Sequence, residues 1–182
     1  MTTYNPDFLN PKEIFTGAEQ GHLYRLSKRL PLSILLSCPR NIEEIGIDFV
    51  HSSAQLEGNT YDKHDTLTLF KMGQTAGGKL FSDAVMLLNL RKSYQYLLAS
   101  LNDADIHLKD FIKDSHALIA KDLLPVQEQG TVRQGSVGIG GTAYTPLSSP
   151  DRLNTELDYL ISVGSKISNP FDKALYFHNN LA

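Results

Sequence analysis

The sequence predicts an all-α fold carrying one β-hairpin, on three observations. Apolar residues recur at helical spacing along most of the chain, and the segments they mark begin and end at cap, proline and glycine signals. Only Thr131 to Tyr144 reads as strand, with Val137, Ile139 and Thr142 set among glycines as in a small hairpin.

In chain order, Asn10-Pro11 supplies a cap and a proline for the first helical position, predicting a helix toward Leu30 that ends before Pro31. Pro31 to Pro39 reads as an apolar connection. Asn41 with Glu44 three residues on resembles a capping box for a helix bearing Ile42, Ile45, Phe49 and Leu56, stopped by Gly58-Asn59. A short helix over 62–72 and a turn at Gly77-Gly78 follow. Ser82 is placed to cap a long helix with Val85, Leu88, Leu97 and Leu101, and Leu108, Ile112, Ile119 and Leu123 mark the next. After the hairpin, Ser149-Pro150 opens a helix with Leu153, Leu157, Leu160 and Ile161, and Asn169-Pro170 opens another. Ala174, Phe177 and Leu181 of that helix are still in step at Ala182.

A chain of 182 residues suits one domain, alone or with an N-terminal extension. Net charge −3 gives no electrostatic case for nucleic acid or an anionic membrane. The single cysteine, Cys38, excludes an internal disulfide and a cysteine-based zinc site. No basic segment leads into an apolar run near Met1, and no run approaches the roughly 20 residues that span a bilayer. The cytoplasm is the expected location. The histidines, including His22, His51, His64 and His107, show no paired spacing for a metal.

Glu57 stands out against helix physics. A carboxylate in a helix's last turn faces the negative end of the macrodipole, an unfavourable term of roughly 0.3–1 kcal/mol unless a cation lies opposite. Such departures often mark functional positions. The arrangement Ser53-x-x-x-Glu57-Gly58 resembles the inhibitory signature of Fic (filamentation induced by cAMP) proteins, which transfer AMP from ATP to a protein hydroxyl.

The hairpin agrees. Gly138-Ile139-Gly140-Gly141-Thr142-Ala143 formally matches the dinucleotide fingerprint, but that fingerprint must open a helix directly, and Tyr144-Thr145-Pro146 follows instead. No glycine run precedes Lys-Ser or Lys-Thr, so a P-loop is also absent. Glycines in an exposed hairpin let another backbone approach and pair with its edge. Gly130-x-x-Arg133 followed by Val137-x-Ile139-x-Gly141-x-x-Tyr144-x-Pro146 resembles the Fic flap, which holds the target segment by main-chain pairing. The order also fits, with Gly77-Gly78-Lys79, Asn89 and His116 between the two motifs.

The resemblance implies a Fic-type helical domain over 41–182, with inhibitory helix 41–58 and flap 130–146, preceded by an N-terminal helical extension over 1–40. It implies Ser53, Glu57 and Gly58 as the inhibitory residues and Val137, Gly138, Ile139, Gly140, Gly141 and Thr142 as the target-docking flap. Its cofactors would be ATP and magnesium, and its partner a protein with a Ser, Thr or Tyr hydroxyl. A homo-oligomer is compatible with it. The family continues from a helix like 174–182 into His-Pro-Phe-x-x-Gly-Asn-Gly-Arg, which supplies the base, the magnesium-holding acid and the phosphate nest. None of that loop lies within residues 1–182, so the chain is expected to be truncated at its C-terminal end, without catalytic residues or a metal site, and inactive alone. By alignment His178 is the helix histidine, expected to be packed, as is His116. Two rival readings are a non-catalytic protein-binding module and a Fic-fold transferase using another phosphorylated donor.

Overall fold

A computed structural model describes residues 2–29, 31–101 and 107–181. It is helical as expected, with α1 (Gly17–Arg29), α2 (Leu32–Leu36), α3 (Pro39–Leu56), α4 (Lys63–Met72), α5 (Phe81–Ser100), α6 (Leu108–Ala120), α7 (Pro150–Ser165) and α8 (Pro170–Leu181). The chain divides into two compact units, 32–131 and the combined segments 1–31 and 132–182.

In the unit over 32–131, α5 packs against α3, α4 and α6. Its core joins Val50 and Ala54 of α3, Tyr61, Leu69 of α4, and Ala84 and Leu87 of α5, with Leu87 wholly buried. The period-3.6 stripe of α3 therefore turns its Val50 edge inward and leaves Phe49 and Leu56 exposed, the latter at 88%. Gly46 lets α3 approach α5, since a Cβ there would lie 2.5 Å from the Tyr94 ring. Buried Asn89 donates from its side-chain amide to the Ile119 carbonyl, satisfying an orphan group at the end of α6.

The other unit packs α7 on α8 around Leu9, Leu160 and Tyr176. The Tyr176 hydroxyl donates to the Leu9 carbonyl at 2.8 Å, and burial pushes its phenol above the usual tyrosine range. Buried Asp172 accepts from the Ile14 and Phe15 backbone amides, both at 3.2 Å, and from the Gln20 side chain, tying the segment before α1 to α8. A Cβ on Gly164 would overlap the Phe177 ring. Gly→Ala inside a helix ordinarily stabilises, by up to about 1 kcal/mol. Gly164→Ala should do the reverse, destabilising by about 1–3 kcal/mol through overpacking. Urea titration of the two proteins checks the sign.

Several boundaries differ from the sequence reading. The first helix begins at Gly17, because Thr16 and Glu19 form the capping box, with Glu19 Oε2 accepting from the Thr16 amide at 2.8 Å. Asn5 instead caps a 3₁₀ turn over Pro6–Leu9, and the expected end at Leu30 lies outside the described residues. The apolar connection holds α2. Asn41 caps nothing, since α3 already starts at Pro39 and Glu44 pairs with Arg40 at 2.9 Å. Ser82 lies inside α5, which begins at Phe81 after Leu80 without a side-chain cap, and α6 stops short of Leu123. Asp62, Ser149 and Asn169 cap α4, α7 and α8.

The hairpin is the larger correction. Among the described residues none from 130 to 143 is strand, and Tyr144–Thr145 pairs in parallel with Thr2–Thr3 rather than within the flap. An isolated two-stranded ribbon is marginal in water. Gly135, Gly138, Gly140 and Gly141 have nothing within 4 Å of a Cβ position, so no side-chain pairing there offsets the entropy of ordering the chain.

Candidate functional site

The end of α3 is built from buried polar groups that hold it and from side chains that project beyond it. Glu57 terminates the helix, its amide donating to the Ala54 carbonyl at 3.1 Å, and Gly58 turns the chain with φ +82°. Buried Asn59 then donates from its amide to the Asp83 carbonyl at 2.8 Å and accepts from the Tyr61 amide at 3.0 Å. Gln55 donates to the Tyr61 carbonyl at 2.8 Å. The Asp83 carboxylate, in the first turn of α5 where the helix dipole favours an anion, accepts from the Thr60 amide at 3.1 Å and hydroxyl at 2.6 Å. Lys79 donates to the Thr60 carbonyl. Tyr61, 1% exposed, anchors the turn in the core and accepts from the Ala76 amide.

Glu57 is exposed on that rigid base, and among the described residues no cation pairs with it. Ser53 lies one turn earlier and is half-buried; Leu56 beside Glu57 is almost fully solvated. The three expected inhibitory residues are thus brought together at one helix end. The arrangement presents an uncompensated carboxylate at fixed position, suited to pairing with a cation that approaches from outside this unit.

The glycine-rich segment presents its own feature. Val137 and Ile139 are about half exposed, and Gly138, Gly140, Gly141 and Thr142 are exposed. Gly141 has φ +76°, and the Thr142 hydroxyl accepts from the Tyr144 amide at 3.1 Å. Backbone groups over 137–142 therefore face solvent with no ladder partner among the described residues. Arg133 donates to the Leu147 carbonyl, while its buried Nε has no partner among those residues.

Sequence reasoning undervalued His116 and Gly130. The Gly130 amide donates to His116 Nδ1 at 3.1 Å, which requires that nitrogen to be unprotonated. Gly130 has φ +69° and a Cβ there would lie 2.9 Å from the Lys113 carbonyl oxygen, so only glycine fits. Gly130 follows a 3₁₀ turn over Val126–Glu128, where a glycine is a local signal of a turn, but the histidine contact spans fourteen residues and left no local signal. His178 is exposed on α8, not packed. No grouping of His, Cys, Asp and Glu among the described residues could hold a metal ion, and no described helix is long and apolar enough to cross a membrane.

The class of protein defined by these helices is a Fic-type fold. Among solved structures, that of a Fic family protein from Desulfovibrio desulfuricans G20 matches 93% of this chain with a TM-score of 0.69 at 21% identity. The chain spans 51% of the length of that protein's chain. No protein-family model and no curated protein sequence matches it.

Proposed function

We propose that a protein containing this chain together with a His-Pro-Phe loop is a Fic-type adenylyltransferase, moving AMP from Mg-ATP to a Ser, Thr or Tyr hydroxyl of a target protein. One observation supports it above the others: within a Fic-type fold, Glu57 stands unpaired on the rigid end of α3, at the position the inhibitory signature assigns it. The base, the magnesium-holding acid and the phosphate nest would come from that loop, not from the described residues. What they contribute is control and docking. Glu57 restrains activity by pairing with an arginine of the loop, and Ser53 and Gly58 set the helix end that presents it. The open backbone over Val137 to Thr142 receives the target as an added strand, in the cytoplasm. The alternative of a non-catalytic binding module keeps the second role and loses the first.

Ile139→Pro tests docking. It removes the Ile139 amide and fixes its φ, while the residue lies outside both cores, so stability should hold within about 0.5 kcal/mol. Modification of a target should fall at least tenfold. Target modification at the original rate would remove the flap from recognition.

A further inference from the structure

An opening of about 260 Å³ in the unit over 32–131 lies between α3, α4 and α5, and Glu57 is not among its lining residues. Its walls are mainly apolar, from Ile42 and Gly46 of α3, Phe70 near the end of α4, and Tyr94 and Leu98 of α5, with Gln95 of α5 as a neutral polar group. Gly46 admits the Tyr94 ring to its wall, and the Tyr94 hydroxyl is held on the Ile42 carbonyl at 3.3 Å. Into this lining α5 sets one cation, Arg91.

Arg91 is fixed before any ligand arrives. Its guanidinium lies over the Phe70 ring, 4.7 Å from the centroid, and one terminal nitrogen donates to the Phe70 carbonyl at 3.1 Å. That uses one of five N–H donors, and among the described residues no carboxylate forms an ion pair with it. Glu43 also lines the opening but is exposed on α3 and does not reach Arg91. A half-buried, pre-oriented guanidinium is the stronger determinant, because its conformational cost of binding is already met and its field is less screened than that of a solvated glutamate. α3 starts at this end with no side-chain cap and no acid in its first turn, so its dipole adds positive potential.

We infer that this cavity binds a small carboxylate with an apolar body, the carboxylate on Arg91 and the body between Phe70, Tyr94 and Ile42. The volume suits a molecule of about ten heavy atoms, for which a Kd on the order of 1 mM or tighter is expected. Such a ligand would bridge α5 and the N-terminal half of the helix that ends at Glu57. The inference stands on the cavity alone and does not require Glu57 to be inhibitory.

The test is titration of the 182-residue chain with 3-phenylpropionate, followed by chemical-shift changes at Gly46 and Tyr94. Saturable shifts are expected there. The matching amine, 3-phenylpropylamine, should bind at least tenfold more weakly, and Glu43→Gln should tighten the acid by about twofold by removing a like charge. Arg91→Met should weaken the acid at least tenfold. Because that change also releases the Phe70 carbonyl, Ile47→Phe serves as a second variant that fills the cavity and leaves Arg91 in place; it too should abolish binding. Absence of saturable shifts, equal binding of acid and amine, or binding indifferent to both Arg91→Met and Ile47→Phe would each overturn the inference.

Discussion

Glu57→Gly in a protein carrying this chain and the His-Pro-Phe loop should raise self-modification with labelled ATP by roughly tenfold to a hundredfold, the range set by a charged hydrogen bond of about 1.5–3 kcal/mol. The residue lies at the surface, contributes only its backbone to the helix terminus, and has an acid where the dipole disfavours one. Its removal should therefore leave stability within about 0.5 kcal/mol, or raise it slightly. Equal rates for the two proteins, both folded by urea titration, would reject the inhibitory assignment. A rise in rate with Glu57→Gln as large as with glycine would locate the restraint in the charge rather than in the length of the side chain.

How much of this could be read from the sequence follows from the range of the forces involved. Signals that act within one turn were legible where nothing overrode them: Ser149 and Asn169 cap the helices they precede. Where a distant contact overrode a local signal, the sequence did not show it. Asn10-Pro11 was read as the helix start, and the Thr16–Glu19 cap found in the structure prevails because Asp172, more than 150 residues away, takes the amides of Ile14 and Phe15 and holds the chain out of helical geometry. Helix α3 was visible from its apolar stripe, but not which edge of the stripe would face α5; Gly46 against Tyr94 decides that, at a sequence separation no periodicity reports. The hairpin failed for the opposite reason. Alternation among glycines is as consistent with an open strand awaiting a partner as with a closed ladder, and within this chain nothing pairs with 137–142 among the described residues. Glu57 was legible because it breaks a local rule, whereas the network that fixes it runs through Asn59, Thr60 and Asp83 and is invisible until α3 and α5 are side by side.

That network separates the position of Glu57 from its charge, and Asn59→Ala should show the difference. The substitution leaves the Tyr61 amide without its partner and removes the bond that ties this turn to the Asp83 carbonyl, a loss of about 1–3 kcal/mol. The urea midpoint should fall with an unchanged slope, since the core of Val50, Tyr61 and Leu87 stays closed. In the loop-bearing protein, self-modification should also rise, because a carboxylate on a loosened helix end spends less time where an incoming arginine can meet it. Glu57→Gly and Asn59→Ala would then act through one contact, so the double variant should be no faster than Glu57→Gly alone while its stability loss matches that of Asn59→Ala. Rates that multiply in the double variant would place Asn59 in a separate role, and an Asn59→Ala protein as stable as the parent would show that the buried amide does not hold the end of α3.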